Sequence, residues 1–397
     1  MVKTLSNLTI VTLLSFTLAG AEIETKGELG LETRWFPNVP ADNRQLEHFQ
    51  NSIYVEQEWF WESNDRSQLA QATLFGRLDD QDKERTHLDI RDLYWESIQD
   101  EWEVLIGINR VFWGVTESRH LINIINQVDQ VESIDEESFL GQPMIKISYE
   151  ATLGRLSLYL MTGFRERTFP GVEGRFRTPL PVNTDQALYV SDLEQWHPEI
   201  ALRYTTVLGD WDIGAYIFHG TGREPTLLPN EDFSYLIPKY ELITQAGLDI
   251  QYTREAWLWK LETLTRKGQG ETFFSAVGGF EYTFYQVMDS SYDLGLLTEY
   301  LYDGREGEGS TFTPFDNDLF LAFRLAFNDI QDTALLAGVF VDLNDESRSI
   351  RIEAERRLND FTTIQIEAQG FHSGSATSDL NALKEDSYVG VSLQFYY

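Results

Sequence analysis

The strongest constraint on this chain is the rhythm of its connections. Short ones fall at residues 63–66, 99–101, 153–155, 208–210, 253–255, 287–291, 329–332 and 359–360. Between them lie connections that are mostly longer, at 37–47, 79–85, 112–141, 165–196, 220–238, 267–270, 303–315, 343–347 and 372–385. The segments they join alternate in polarity with a period of two, which is the period of a strand. Sorting short turns to one side and longer loops to the other is what a membrane-spanning antiparallel barrel requires. A soluble sandwich has no reason to sort its connections by length. Eight turns and nine loops join eighteen strands, an even number that leaves both termini on the turn side. The expected fold is all-β: one transmembrane antiparallel barrel of eighteen strands, with sixteen as the next alternative.

The alternation assigns the faces. Leu29, Leu31, Thr33 and Trp35 alternate with Glu28, Gly30, Glu32 and Arg34; Trp257, Trp259, Leu261, Thr263 and Thr265 alternate with Leu258, Lys260, Glu262, Leu264 and Arg266. One face is apolar and the other carries charge, as expected when the first meets lipid and the second lines a lumen. Trp35, Trp59, Trp61, Trp102, Trp211 and Trp257 sit near strand ends, where interfacial aromatic girdles belong. The inward parity assigns Arg34, Glu56, Arg77, Arg91, Arg203, Lys260, Glu262, Arg324, Arg351 and Glu353 to the lumen wall, with Glu32, Glu58, Asp89, Asp249 and Glu355 beside them. Inward glycines at 30, 107, 247 and 279 are expected to leave room in the lumen.

The last strand, 387–397, ends the chain on an aromatic residue with no polar tail. An unblunted edge is a liability, so this strand is expected to pair with the first and close the barrel. It resembles the C-terminal strand of bacterial outer-membrane β-barrels, which implies that Phe395 and Tyr397 are read by the barrel-assembly machinery. The N-terminus agrees with export. Lys3, an apolar run at 8–18 and Ala19-Gly20-Ala21 have the form of a secretory signal peptide, 1–21, leaving 22–397 as a single barrel domain. No cysteine is present, so neither disulfides nor thiolate metal sites contribute. The net charge of −33 argues against nucleic acid, whose phosphates need clustered Lys and Arg.

The stretch 110–129, RVFWGVTESRHLINIINQVD, follows the fifth strand and opens the loop 112–141. Leu121, Ile122, Ile124, Ile125 and Val128 have helical spacing, so a short helix is expected there. Arg110, Trp113, Gly114, Asn123, Asn126 and Asp129 give an RxxWG…NxINxxD pattern similar to that of porin-like outer-membrane proteins, a broad group that includes alginate-export-type barrels. A Gln stands at 127, where such patterns often have Pro. The resemblance implies a loop folded into the lumen, with Arg110, Trp113, Glu117, Arg119, Asn123, Asn126 and Asp129 at a constriction.

Two charge clusters remain. Arg165, Arg167, Arg175 and Arg177, with Arg203 on the next strand, either capture anions at the mouth or pair with acidic neighbours and lipopolysaccharide phosphates. The acidic run 129–137, DQVESIDEE, lacks calcium-loop spacing and reads as a solvated charge run. None of His48, His87, His120, His197, His219 and His372 stands in a nucleophile or metalloprotease motif, so no enzyme, cofactor or metal is expected. The sequence therefore points to an outer-membrane channel of a Gram-negative bacterium, passing small hydrophilic solutes. The alternative is a substrate-specific export or uptake barrel for an oligosaccharide or another anionic solute, and an adhesive barrel is the third class. The lumen of mixed sign does not support alginate itself, and the oligomeric state is not legible.

Overall fold

The computed structural model describes residues 23–306, 311, 313, 315–375 and 378–397. The signal-peptide residues, 1–21, lie outside them. Eighteen strands form the wall: Ile23–Trp35, Phe49–Glu62, Gln68–Asp79, His87–Gln99, Trp102–Asn109, Gln142–Ala151, Gly154–Met161, Glu199–Leu208, Trp211–Thr221, Leu242–Arg254, Trp257–Lys267, Phe273–Phe284, Asp293–Asp303, Asn317–Ala326, Ala334–Asp342, Arg348–Asn359, Thr362–His372 and Tyr388–Tyr396. Each pairs antiparallel with its neighbours in the wall. The first strand pairs with the last from Glu28 opposite Tyr396 to Trp35 opposite Val389, so the sheet is closed. Closure satisfies backbone groups strand to strand and removes the edge, the condition for a sheet in hydrocarbon. A small three-stranded sheet of Leu188–Tyr189, Thr226–Pro229 and Leu236–Tyr240 sits in the long loops.

The register carries one parity round the whole circle. Glu32 faces Ser52 and Ser392, and Glu262 faces Asp249 and Val277, while Leu29, Leu31, Ile106, Trp259, Leu321, Ile350 and Val391 are exposed on the other side. Outward aromatics pair across strands near the turn side: Trp102 with Tyr149 at 4.7 Å, Trp211 with Tyr252 at 4.4 Å and Trp257 with Tyr282 at 4.6 Å between ring centroids. Such pairs contribute roughly 0.2–1 kcal/mol each to strand registration.

The inward glycines do not open the lumen as the sequence suggests. The ring of Tyr54 lies over Gly30 and that of Tyr216 over Gly247, each on the directly opposing residue. A Cβ at Gly30 would come within 2.1 Å of Tyr54, and one at Gly247 within 2.4 Å of Tyr216. Each glycine is thus covered by its neighbour's aromatic ring, a device that pins register. Gly107 and Gly279 lie against the backbone of the adjacent strand, where a Cβ would meet a carbonyl oxygen.

Candidate functional site

The stretch 110–141 leaves the wall early and stays inside it. A β-bulge in the fourth strand sets up the departure. Thr73 pairs with Asp92 and Leu74 with Ile90, so Arg91 is the extra residue, and Arg91 and Asp92 both turn inward. Asp92 then binds Arg110, through the backbone N–H at 3.0 Å, Nε at 3.0 Å and Nη2 at 2.6 Å. Asn126 ties the two ends of the loop together. Its amide donates to the carbonyls of Asn109 and Leu140, both at 2.9 Å, and its oxygen accepts from the Val111 N–H at 2.8 Å. Trp113 inserts between Tyr159 and Tyr216, both inward wall residues, and the Arg203 guanidinium lies 4.7 Å over its ring. Gly114 has φ +153, and a side chain there would press on His120 and on the Glu262 carboxylate. Only glycine brings the backbone this close at that dihedral.

Two wall glutamates across the barrel grip the backbone that follows. Glu262 Oε1 accepts from the Val115 N–H at 2.6 Å, the Thr116 N–H at 3.0 Å and the Thr116 hydroxyl at 2.8 Å; Oε2 accepts from the Ile122 N–H at 3.1 Å. Glu299 accepts from the Glu117 N–H at 2.9 Å, the Ser118 N–H at 2.8 Å and the Ser118 hydroxyl at 2.6 Å. These are charge-assisted bonds in a dry setting, the stronger kind. Glu117 in turn reaches Arg324 at 2.8 Å and Lys260 at 3.8 Å. Arg119 points to Glu224 and Asp303, at 3.4 and 3.5 Å.

The second half of the loop meets the opposite wall. Glu32 on the first strand holds Arg34 at 2.8 Å, Arg77 at 3.0 Å and Arg85 at 2.8 Å. The loop completes their coordination: Glu132 binds Arg77 at 2.7 Å, Arg34 donates to the Glu132 carbonyl at 3.0 Å, and Arg85 donates to the Val131 carbonyl at 2.9 Å. Burial works to raise the Glu132 carboxyl, and Arg77 and Arg85 outweigh it, holding the group below its ordinary range. Further along, Arg351 binds Asp135 at 3.0 Å and Glu137 at 2.8 Å. Here burial prevails over Arg351, with Glu137 and Glu367 adding repulsion, and Asp135 is pushed up to about 7.

Asp135 carries a pH prediction. Its carboxyl holds a proton more tightly when the loop is docked than when it is free, where an ordinary aspartate titrates near ~3.9. Docking is therefore favoured at acidic pH and weakens as pH rises through about 7. Hydrogen exchange of residues 133–137 is expected to speed up between pH 5 and pH 8, after correction for intrinsic rates. Asp135→Asn is expected to flatten that dependence.

The wall is closed, its outside is apolar and its charges turn inward around a long internal loop. The chain is a closed antiparallel β-barrel of eighteen strands. Solved structures of similar shape include the outer-membrane protein OmpT of Vibrio cholerae in its trimer form, 10% identical, covering 95% of this chain and 99% of that one, with a TM-score of 0.48. The outer-membrane channel DcaP of Acinetobacter baumannii is 9% identical over 97% and 100%, with a TM-score of 0.47. OprB of Pseudomonas putida, at high pH, is 6% identical over 94% of each chain, with a TM-score of 0.48. No family model matches this sequence, and neither does any curated protein.

Several sequence-based expectations need correction against this barrel. The apolar run 121–128 forms turns and bends rather than a helix. Leu121 joins the apolar cluster of Leu264, Val277, Leu301 and Phe320, whereas Ile122, Ile124 and Ile125 join that of Trp113, Met144 and Phe218. A single helical face could not serve two walls. The acidic run 129–137 is solvated only at its end, Glu136 and Glu137: Asp129 and Glu132 are buried, and Glu132, Asp135 and Glu137 bind wall arginines. Of the two roles open to the arginine cluster, pairing with acidic neighbours is the one seen. Arg165 binds Asp89 at 2.6 Å, Arg167 Glu136 at 2.9 Å, Arg175 Asp386 at 2.6 Å, Arg177 Asp42 at 2.7 Å and Arg203 Asp249 at 2.9 Å.

The residues proposed for a constriction divide. Trp113, Asn126 and Asp129 are buried and fasten the loop; Asn123 accepts from the Trp113 N–H at 3.4 Å. Arg110, Glu117 and Arg119 remain partly accessible, in ion pairs. Among the wall residues, Arg34, Arg77 and Glu262 are covered by the loop, while Arg324 and Glu353 stay open, with 43% and 37% of their side chains exposed. Glu56 pairs with Arg91 at 2.7 Å. Sequence reasoning missed Glu299, Asp92, Arg85 and Tyr216.

Proposed function

We propose that this protein is a porin of the outer membrane of a Gram-negative bacterium, a water-filled channel through which small hydrophilic solutes diffuse passively. The observation that carries the reading is the internal loop. It is fastened to opposite sides of a charge-lined wall, and on this reading it narrows the passage. A wall of eighteen strands leaves an aqueous interior. Charged groups at a narrow point then set selectivity through their field and hydrogen bonds. The apolar outside faces lipid, and the loops meet lipopolysaccharide. Phe395, on the closing strand, and Tyr397, just past its end, fit a recognition role in assembly.

The anionic-solute alternative has less support, because the arginines that would draw anions are matched by carboxylates. A modest cation preference follows. The test is reconstitution of the folded protein in a planar bilayer. Stepwise ion current is expected, and in a salt gradient the reversal potential should take the sign of cation selectivity. Folded protein that carries no current would refute the channel, and an anion-selective sign would refute the preference.

A further inference from the structure

We infer that Phe112, backed by His120 and Phe139, forms a docking ledge inside the lumen for cations that carry an apolar body, such as a ring-bearing quaternary ammonium ion. The inference rests on the channel reading above and goes beyond it by naming a solute class and a place.

Phe112 is 55% exposed, although both neighbours in sequence belong to or pack on a buried apolar cluster. Val111 is bonded to Asn126 and sits against the buried cluster around Trp113. Trp113 itself is wedged between Tyr159 and Tyr216. With residues 111 and 113 both on the buried cluster, the non-helical backbone between them leaves Phe112 exposed. The ring is held there rather than left loose. His120 meets it edge-on at 4.6 Å between centroids, and Phe139 lies at 6.5 Å. The tether of Asn126 at the base of the loop and the grip of Glu262 beyond Gly114 fix the backbone on both sides. A large aromatic side chain that the fold could have turned inward is instead presented on the free face of the loop.

The wall decides the sign of the guest. Over five adjacent strands, from Arg348–Asn359 round through the closure to Phe49–Glu62, four inward glutamates take hydrogen bonds from neutral donors. Glu28 is bonded by Tyr54 at 2.6 Å, Glu58 by Gln71 at 3.1 Å, Glu355 by Gln365 at 2.9 Å, and Glu367 by Tyr388. Their neighbours Glu56 and Glu353 form ion pairs with arginine; these four form none among the described residues, and Glu28 has arginines, Arg91 and Arg77, acting on it from farther off. Unneutralised carboxylates beside a low-dielectric wall concentrate cations. The face of a phenyl ring carries the negative end of its quadrupole and attracts the same cations, more strongly when they are poorly hydrated. A small hydrated metal ion gains little from that ring, and a carboxylate solute is repelled by the wall. A cation with an apolar body satisfies both.

The experiment compares two blockers of similar size and opposite charge, benzyltrimethylammonium and benzoate, on the full protein in planar bilayers. Benzyltrimethylammonium is expected to interrupt the KCl current at roughly five- to tenfold lower concentration than benzoate. Phe112→Ala should raise its blocking concentration by a similar factor, and Phe112→Trp, which keeps a ring, should preserve block. Current in KCl alone separates the two readings: folded protein without current removes the channel itself. Normal current with block unchanged by Phe112→Ala, or benzoate blocking as well as the cation, overturns the ledge.

Discussion

Replacing Glu262 with alanine is expected to release the internal loop and raise the single-channel conductance. The side chain is fully buried, and its two oxygens accept from four donors on residues 115, 116 and 122. Removing it strands those donors in a dry pocket, at about 1–3 kcal/mol for each that finds no water. Even partial rescue by water leaves a loss on the order of 3–5 kcal/mol, enough to move the segment 114–122 from one arrangement to several. The wall should be untouched, because Glu262 lies opposite Asp249 and Val277 in a ladder held by backbone bonds. Two measurements check this together. Mean conductance and its noise should rise, and larger neutral polymers should enter the pore. Unchanged conductance in a correctly folded variant would show that the loop is held by its other contacts alone. Glu299→Ala acts on the next two residues of the same segment, so the double variant should cost less than the two single effects combined.

Glu262 also shows how far the sequence could be read. Its strand, Trp257–Lys267, is apolar on one face and charged on the other, so its inward direction follows from period alone. What it binds does not, because its partners lie about 140 residues earlier in the chain. Glu299 was harder. Its strand, Asp293–Asp303, puts Leu297 and Leu301 on the inner face beside it, and Leu296 and Tyr300 on the outer. Both faces are apolar there, since the inner leucines pack against Leu121 of the loop, and polarity no longer marks the side. Asp92 was hidden by the bulge at Arg91, which breaks the period by one residue. The inward charge was legible from local alternation, the strand count from the run of turns and loops, and the closure of first strand on last from the unblunted final edge. The loop's contact with the wall was legible only as a pattern of residue types. Asn126 and Asp129 look like polar pore groups in a list of letters, and in space they are a tether and a clasp on Thr168.

Arg175 is the second place where one substitution should have a large effect. Its side chain is wholly buried, with Phe36 under the guanidinium at 4.6 Å. Nε donates to Asp386 at 2.6 Å, Nη1 to the carbonyls of Glu47, Leu46 and Asn38 at 3.0, 3.3 and 3.4 Å, and Nη2 to the carbonyl of Glu385. One planar fork thus fastens three loops, 36–48, 165–177 and 373–387, beside the apolar cluster of Phe36, Leu46, Phe176 and Leu383 that also joins them. A lysine has one nitrogen and cannot reach these directions at once, so Arg175→Lys should rescue little of what Arg175→Ala loses. Breaking a buried ion pair by deleting one partner costs about 3–5 kcal/mol, because the other charge stays behind. That charge is Asp386, which burial already pushes upward while Arg175 pulls it down. Without Arg175 the carboxyl should take up a proton in mildly acidic buffer, and Arg175→Ala should therefore tighten as pH falls from 7 to 5. Limited proteolysis of the folded barrel reads this out: faster cleavage in those three loops at pH 7, partial protection at pH 5, and a wall that still resists unfolding. Equal cleavage of wild type and variant at pH 7 would mean that the mouth is held by the remaining pairs, Arg177 with Asp42 and Gln45 with the Gly174 carbonyl.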